Sequence, residues 1–221
     1  MRLSSWIAQM TDISRRKADR MIDAGAVKVN GQTATTGAKT SGDEQVTING
    51  SRVEPRKQQL LLLHKPLNYV CSTTRQDNKP TIYELLPADL HHLSYAGRLD
   101  ADSEGLVILT NDGQLINRLT HPSFEVTRRY ELQLDRPLSD THLSKLEIGV
   151  ELEDGVSRFD TISIINRSKL SIALHEGRNR QIRRTFRALG YEVTELKRIS
   201  HGEYSLDDIA SGEYILRDIS D

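Results

Sequence analysis

The strongest constraint on the fold is a short apolar run that polar turns flank on both sides. The run is Leu-Val-Ile-Leu at residues 106–109; Gly-Arg-Leu-Asp precedes it at residues 97–100, and Asn-Asp-Gly follows it at residues 111–113. A run of this length predicts a buried strand, and Asn-Asp-Gly supplies residues that tolerate a positive φ to end it. Asp100 is therefore expected in the loop that leads into the strand.

Asp100 has two interpretations on local grounds. Loops that a sheet holds in place carry many catalytic groups, and Arg98 two residues away can keep a carboxylate ionised and aimed. Aspartate also caps turns and pairs with surface arginines. The local residues alone favour this second role.

Length and composition indicate a chain with a sizeable core. With 221 residues, 37% of them hydrophobic, we expect two or more domains. No run approaches the roughly 18 apolar residues of a membrane span, and the first residues lack the core of a signal peptide. We therefore expect a soluble, cytoplasmic protein without a membrane partner. The sequence shows no heptad pattern or large apolar stripe, which indicates a monomer.

The residue types present do not indicate metal chemistry. Cys71 is the single cysteine, which excludes an intramolecular disulfide and a cysteine-rich metal site. His91 and His92 are adjacent, and adjacent side chains diverge on a helix or a strand. We therefore expect no metal site.

The net charge of −1 hides two basic stretches. Residues 1–60 carry ten Lys and Arg against six Asp and Glu, and residues 178–198 carry seven against two. Phosphate binding depends on the local basic surface and not on the sum over the chain, so either stretch can bind nucleic acid. A solvated charged face is the alternative, and composition alone slightly favours it.

The first basic stretch has the pattern of a small module. Leu3, Ile7 and Met10 have helical spacing, and Ser14 is placed to cap a second helix. Two Val-rich strands follow, each before an Asn-Gly turn. Basic side chains fall mostly on the face of the second helix opposite its apolar stripe, namely Arg15, Arg16, Lys17 and Arg20.

The order of these elements resembles the S4 RNA-binding domain over nearly all of residues 1–50. The resemblance implies that basic side chains contact RNA phosphates and supply affinity more than sequence reading. These side chains are Arg15, Arg16, Lys17, Arg20 and Lys28. Residues 51–58 are polar and include Pro55, so we place a linker there. The expected division is an S4-like domain with its linker at residues 1–57 and a second domain at residues 58–221.

Short strands alternate with short helices after the linker. The pattern predicts strands at residues 59–64, 68–72, 129–134 and 169–175, a helical turn at 81–86, and helices at 114–120, 139–148 and 182–189. This mixture of antiparallel-type strands and flanking helices indicates an α+β fold.

Two features of this second region have both a structural and a functional interpretation. Tyr130 lies on a predicted strand, where a core tyrosine with its hydroxyl at the surface is the commoner case. Ile182, Phe186 and Leu189 share one face of a helix that Gly190 ends, while the arginines lie off that face. A basic solvated helix and an RNA-binding helix explain this arrangement equally well.

Four segments together resemble the motifs of pseudouridine synthases, in the RsuA/RluB/RluE/RluF branch. They are Gly-Arg-Leu-Asp-Ala-Asp-Ser-Glu-Gly-Leu at residues 97–106, His-Lys-Pro at 64–66, Arg-Arg-Tyr-Glu-Leu at 128–132 and Glu-Gly-Arg-Asn-Arg-Gln-Ile-Arg-Arg at 176–184. A glycine usually follows the second motif. Here Leu67 and Asn68 follow, and asparagine tolerates the left-handed conformation of a tight turn.

The resemblance covers almost the whole chain and implies an RNA pseudouridine synthase of α+β fold. It implies a small S4 domain of helices and short strands, then a catalytic domain with a mixed, mainly antiparallel sheet flanked by helices. The implied reaction flips a uridine out of its stack, cleaves its glycosidic bond, rotates the base and rejoins it through C5. The implied substrate is ribosomal RNA, with the large subunit favoured and tRNA less expected, and no cofactor or metal is implied.

The resemblance also implies roles for individual residues. The implied catalytic residues are Asp100, Tyr130 and Arg183: Asp100 attacks C1′ or takes the 2′ proton, Tyr130 stacks on the base, and Arg183 pairs with Asp100. Arg180 is the less favoured partner of Asp100. The implied substrate-binding residues are Arg98, Leu99, Arg180 and Ile182.

Two other classes of function stay open. One is a non-catalytic RNA-binding or ribosome-assembly factor, although such a protein has no need for a carboxylate that faces anionic RNA. The other is a protein-interaction domain whose basic faces are merely solvated. A strong salt dependence of RNA binding argues against the latter.

Overall fold

The computed structural model describes residues 1–11, 13–54 and 56–219. Pro55, which falls in the predicted linker, lies outside the described residues. The chain forms two compact units: the first comprises Met1–Leu60, Thr110–Gly113 and the chain from Arg217, and the second comprises Leu61–Leu109 and Gln114–Leu216. Within the described ranges, no helix has the length and apolar character needed to cross a membrane.

The described part of the first unit has two helices and four short strands. They are α1 (Leu3–Met10), α2 (Arg15–Asp23), β1 (Val27–Val29), β2 (Gln32–Thr33), β3 (Val46–Ile48) and β4 (Ser51–Arg52). The strands form one antiparallel sheet in the order β2-β1-β3-β4. Both helices and the sheet contribute to one small core, made of Leu3, Trp6, Ile7, Ala18, Ile22, Val27, Val46 and Val53.

Local sequence signals set the bounds of these elements as predicted. The Ser14 hydroxyl caps α2 by accepting a hydrogen bond from the Lys17 backbone N–H at 3.4 Å. Gly25 follows α2 with a φ of +71°. Both residues of each Asn-Gly pair have a positive φ, as the primed turns of two-residue hairpins require.

The second unit is built on a large sheet with helices. Its elements in chain order, some of which extend past the bounds of the unit, are β5 (Gln58–Lys65), β6 (Ser94–Ala96), β7 (Glu104–Thr110), α3 (Gly113–Thr120), β8 (Arg128–Leu134), α4 (Asp140–Ile148), β9 (Val150–Leu152), β10 (Gly155–Ser157), β11 (Thr161–Asn166), β12 (Lys169–Leu174), α5 (Gln181–Ala188), β13 (Val193–His201), β14 (Tyr204–Ser205) and β15 (Tyr214–Ile219). Short 3-10 helices occur at Ile82–Leu85, Ala88–Leu90 and Pro122–Phe124.

The sheet is mixed and mainly antiparallel, which confirms the predicted α+β class. In the described chain its strand order is β11-β12-β8-β13-β7-β5-β15, with β14 paired to β13 and β6 to β7. The pairs β11–β12, β12–β8 and β8–β13 are antiparallel, and the central pair β13–β7 is parallel. Strands β9 and β10 form a separate hairpin.

The parallel pair β13–β7 depends on Gly105. Its φ is +115°, and a Cβ atom built on it would lie 2.3 Å from the Arg198 carbonyl oxygen. A side chain therefore cannot fit there without moving the strand. This close approach places Arg198 of β13 next to the start of β7, and the Asp100 loop leads into that start.

Two local predictions were wrong. Residues 68–72 form no strand; Val70 makes only an isolated bridge to Thr81, although Asn68 does adopt the expected left-handed conformation, with φ +67°. The end of β7 also differs, because residues 111–113 have no positive φ in the described chain. Instead α3 begins at once, and the Asn111 side chain accepts from the Gln59 N–H and donates to the Lys57 carbonyl.

Candidate active site

The second unit contains a cavity of about 250 Å³. Its lining comes from segments far apart in sequence: the loop before β7, the end of α3, β8, the loop from β12 into α5, and β13. Cavities for drug-sized ligands run from about 300 Å³ upward. This cavity therefore suits a ligand of about one nucleoside.

The lining of the cavity is strongly basic. Among the described residues that border it, six arginines face two carboxylates. The arginines are Arg98, Arg128, Arg178, Arg180, Arg183 and Arg198, and the carboxylates are Asp100 and Glu176. Such an excess of positive charge in a concave site attracts anionic ligands such as phosphodiesters.

Asp100 lies in the loop that leads into β7, as predicted, and borders the cavity. Its carbonyl oxygen accepts a hydrogen bond from the Ser103 N–H at 3.1 Å, so its main chain closes a turn. Its carboxylate is 44% exposed, and the nearest cation is Arg180, with 3.6 Å between Nη1 and Oδ2. The turn is thus made by the main chain, and the carboxylate stays accessible to a ligand.

The expected pairing of Arg183 with Asp100 was wrong. Arg183 Nε lies 3.3 Å from an Asp102 carboxylate oxygen, and its two Nη atoms donate at 2.5 Å to the carbonyls of Val193 and Asp102. Burial is the main cause that lowers the pKa of Arg183. Arg183 belongs to the first turn of α5, where neighbouring carbonyls take its donors. Arg180, the less favoured candidate, is the arginine beside Asp100.

Tyr130 is a core residue that also borders the cavity, so its position is compatible with both roles that its sequence left open. It lies in the middle of β8, where buried and less buried residues alternate. Its side chain is packed in the main core and is only 9% exposed, yet it borders the cavity. A core tyrosine whose ring forms a wall of the cavity is rigidly held, and this suits a surface on which a flat ligand stacks.

The other predicted substrate-binding residues also border the cavity. Arg98, Leu99 and Ile182 are all part of its lining. Leu99 and Ile182 are buried, so they shape the cavity, and the Leu99 N–H lies 3.5 Å from the Cys71 sulfur. The five basic residues predicted to bind RNA are all exposed in the first unit, on α2 and β1.

Arg128 is a lining residue that the sequence prediction missed. Its guanidinium donates to the carbonyls of Leu119, His175 and Glu176, at 3.0, 3.0 and 3.4 Å. These bonds tie β8 to the end of α3 and to the loop that follows β12. Its place before Tyr130, in the motif of residues 128–132, was the signal that could have identified it.

His201 is buried next to Arg128 and is uncharged at neutral pH. Burial, with further contributions from Arg198 and Arg128, lowers its pKa to about 3. Its Nε2 atom lies 2.9 Å from the Leu119 carbonyl oxygen. A neutral ring between two arginines avoids a third positive charge.

Arg198 and Lys65 are two further buried cations that the sequence did not mark for the site. Arg198 borders the cavity and donates through Nε to the Leu106 carbonyl at 2.8 Å, while its buried Nη2 has no hydrogen-bond partner among the described residues. Lys65 donates to the carbonyls of Pro66 and Tyr69, each at 2.8 Å. Its burial lowers its pKa to about 8, although Asp102, Asp100 and other groups oppose this shift.

The loop between β12 and α5 is tied to the β9–β10 hairpin. Arg178 donates to the Gly155 and Val156 carbonyls at 3.0 and 2.8 Å. Arg184 forms a two-pronged pair with the Asp154 carboxylate at 2.9 and 2.7 Å. Because these contacts fix both sides of Arg180 in sequence, they help to fix this wall of the cavity.

No group of His, Cys, Asp and Glu in the described ranges is arranged to hold a metal ion. The chemical groups at the cavity include the Asp100 carboxylate, the Glu176 carboxylate, which is paired with Arg178, one buried aromatic ring and many guanidinium donors. This set can bind a phosphate backbone, cover the face of a base and act on a sugar as a nucleophile or a base.

Comparison with known proteins places this site in a family. The family model described as RNA pseudouridylate synthase matches residues 59–188, and the S4 domain model matches residues 1–40. The chain therefore belongs to the RNA pseudouridylate synthase family, whose members are isomerases, and carries an S4 domain. This confirms the resemblance that the motifs indicated.

Individual relatives agree over nearly the full length. The ribosomal large subunit pseudouridine synthase B of Bacillus subtilis (strain 168) is 34% identical, over 96% of this chain and 90% of the relative. The ribosomal small subunit pseudouridine synthase A of Yersinia pestis is also 34% identical, over 97% of this chain and 93% of the relative. A crystal structure of a pseudouridylate synthase is 31% identical, with a TM-score of 0.70 over 98% of this chain and 96% of that one.

Proposed function

We propose that this chain isomerises one specific uridine of ribosomal RNA to pseudouridine, in the large subunit. The observation that carries the proposal is the accessible Asp100 carboxylate at a basic cavity. The volume of this cavity suits about one nucleoside, and Tyr130 is part of its lining. The large subunit is favoured because several of the similar relatives are named as large subunit synthases. A non-catalytic RNA-binding factor is not favoured, since it has no use for this carboxylate.

The reaction needs no change in composition, because the product is an isomer of the substrate. The bond between N1 of the base and C1′ of the ribose breaks, the base turns within the cavity, and a bond between C5 and C1′ forms. The hydrogen on C5 is lost as a proton, and N1 gains one. Asp100 acts on the ribose either by attacking C1′ or by taking the 2′ proton.

The remaining residues of the cavity bind and orient the flipped nucleotide. Extraction of a base from its stack costs about a few kcal/mol, and stacking on the Tyr130 ring offsets part of this cost. The arginines of the lining bind the flanking phosphates, and Arg98 either contacts the backbone or fills the place of the extruded base. Leu99 and Ile182 pack around the base.

The first unit binds structured RNA beside the target nucleotide. The exposed basic residues of α2 and β1 support this role, because phosphate contacts supply affinity without reading the sequence. These residues are Arg15, Arg16, Lys17, Arg20 and Lys28. The RNA is bound as free rRNA or within a ribosomal particle. The protein acts as a cytoplasmic monomer, which agrees with a sequence that has no heptad pattern or large apolar stripe.

Pseudouridine mapping in cells tests this function. Carbodiimide adducts stop primer extension at pseudouridines, so rRNA is compared between cells with the gene deleted and the same cells carrying wild type or Asp100→Asn. We expect one stop in large-subunit rRNA that disappears on deletion and returns only with wild type. An unchanged pattern in both rRNA and tRNA would contradict the proposal and favour the non-catalytic factor.

A further inference from the structure

Asp102 is the carboxylate at the centre of the charged contacts around Asp100. Arg180 donates to both of its carboxylate oxygens, with distances of 3.0 Å to Oδ1 and 2.6 Å to Oδ2. Arg183 Nε lies 3.3 Å from Oδ2, and Arg183 Nη2 donates to the Asp102 carbonyl at 2.5 Å. One residue thus holds two arginines through both its side chain and its main chain.

Asp100 has a much weaker contact with Arg180. Its carboxylate lies 3.6 Å from Arg180 Nη1, which is outside the range of a short charge-assisted hydrogen bond. Asp102 does not border the cavity, whereas Asp100, Arg180 and Arg183 do. The two carboxylates of one loop therefore differ: Asp100 borders the cavity, whereas Asp102, whose side chain is 47% exposed, lies outside the lining and holds two of its arginines.

The backbone conformation of Arg180 shows why its side chain needs an ion pair to fix its position. Arg180 precedes α5 in the left-handed conformation, with φ +47° and ψ +31°, and no side chain caps the helix there. This conformation is uncommon for residues other than glycine and persists where the surroundings impose it. The two-pronged contact with Asp102 fixes the direction of the Arg180 side chain, and its hydrogen bond is the largest cause that lowers the pKa of Asp102.

We propose that Asp102 is a positioning residue, which holds Arg180 beside Asp100 and Arg183 at the lining, so that both guanidinium groups have a fixed place at the cavity. The proposal rests on the proposed function, because it concerns the same reaction. Asp102 touches neither ribose nor base and acts through the two arginines. Without its charge, Arg180 is free to turn toward Asp100 or toward solvent.

The kinetic test uses wild type, Asp102→Asn, Asp102→Glu and Asp140→Asn. Asp140 is the matched control, because it also pairs with an arginine, Arg167, but lies on the surface outside the cavity lining. We expect Asp102→Asn to lower the single-turnover rate about 10- to 100-fold and to leave the Kd for RNA within about twofold of wild type. Asp102→Glu restores part of the rate, and Asp140→Asn has the wild-type rate.

A double-mutant cycle separates positioning from an independent effect. If Asp102 acts through Arg180, Asp102→Asn combined with Arg180→Gln loses no more rate than the worse single variant. Losses that multiply would overturn the proposal. A wild-type rate for Asp102→Asn would overturn it as well.

Crystal structures of wild type and Asp102→Asn give a readout that does not depend on turnover. In wild type we expect the Arg180 guanidinium to pair with the Asp102 carboxylate. In the variant we expect the guanidinium to be displaced from that position. An unmoved Arg180 in the variant contradicts the positioning role even if the protein has no activity on rRNA. Absence of wild-type activity on rRNA, with Arg180 displaced in the variant, refutes the rRNA function and leaves the positioning role intact.

Discussion

At the scale of single residues, the proposed chemistry depends on one carboxylate, Asp100, that has few partners among the described residues. Asp100 makes one ion contact of 3.6 Å, while the arginines around it are held by Asp102 and by main-chain carbonyls. Because its oxygens are not occupied by short hydrogen bonds from arginine, they are accessible to a ribose. Tyr130 supplies the opposite kind of group, a ring held firmly by the core.

The Tyr130 ring is predicted to be needed more than its hydroxyl. Tyr130→Leu removes the stacking surface, which is worth about 1–3 kcal/mol per base, so we expect kcat/KM to fall about 10- to 100-fold. Tyr130→Phe keeps the ring and is expected to stay within about threefold of wild type if stacking is the main role. Steady-state kinetics on the RNA substrate check this, and a large loss in Tyr130→Phe would instead assign chemistry to the hydroxyl.

His201 is predicted to weaken the fold as the pH falls. Its folded pKa of about 3 lies below its ordinary value of 6.5, so the unfolded chain binds a proton that the folded chain does not bind between these values. Stability is therefore lost as the pH falls below about 6.5, by up to about 1.4 kcal/mol per pH unit. Urea unfolding between pH 7 and 5 should show a shallower pH dependence for His201→Gln. Equal slopes for the two proteins would contradict this.

The roles of single residues were only partly predictable from sequence. The resemblance to the family motifs implied that Asp100, Tyr130 and Ile182 lie at the site, whereas local patterns placed Asp100 only in a loop, Tyr130 on a strand and Ile182 on a helix. The partner of Asp100 was not predictable, since Arg180 and Arg183 lie within one turn of each other. Which of them reaches the carboxylate depends on the left-handed backbone of Arg180, and residue type does not reveal this.

At the scale of elements, the site depends on how closely β7 and β13 approach. The parallel pair places Arg198 against the start of β7, and the Asp100 loop enters the sheet at that point. The contacts of Arg128 then connect β8 to α3 and to the loop after β12. Contacts between strands, and contacts of strands with neighbouring loops and helices, therefore both shape the cavity.

Gly105→Ala is predicted to destabilise the second unit strongly. Its Cβ would lie 2.3 Å from the Arg198 carbonyl oxygen at a φ of +115°, so the two strands must separate. We expect a loss of about 3 kcal/mol or more in the free energy of unfolding. Gly113→Ala is the control, since nothing lies within 4 Å of its added Cβ and its φ is not positive. Equal stabilities of the two variants would contradict the account of this strand pair.

Most elements could be predicted because their signals are local. The Ser14 cap, the two Asn-Gly turns and the alternation of β8 all appear in the structure as expected. The strand prediction for residues 68–72 was wrong because these residues have no neighbouring strand to pair with, apart from one bridge at Val70. Strand pairing depends on segments that are distant in sequence, and the local pattern gives no information about them.

At the scale of the whole molecule, two basic surfaces have separate tasks. The first unit presents exposed lysines and arginines on α2 and β1, and the second has a basic cavity bordered by the accessible carboxylate of Asp100. The order of the two regions could be read from sequence because each motif is contiguous. The cavity could not, because its six arginines come from four separate segments that only the fold brings together.

Loss of charge in the first unit is predicted to weaken RNA binding without slowing the reaction. Changing Arg15, Arg16 and Lys17 to Gln together removes about three phosphate contacts. The slope of log Kd against log salt should then fall by about two units, with an unchanged single-turnover rate at saturating RNA. Arg167→Gln, an exposed arginine paired with Asp140, is the control and should keep the wild-type slope. An unchanged slope in the triple variant would exclude this face from RNA binding.

The most direct test of the central claim is proton release from C5 during a single turnover. RNA labelled with tritium at C5 of its uridines is mixed with excess wild type or Asp100→Asn, and the affinity of both proteins for the same RNA is measured in parallel. We predict that wild type releases the label from one uridine, while Asp100→Asn releases none and binds within a few-fold of wild type. Release by Asp100→Asn at a rate near that of wild type would contradict the account, because it would remove Asp100 from the mechanism.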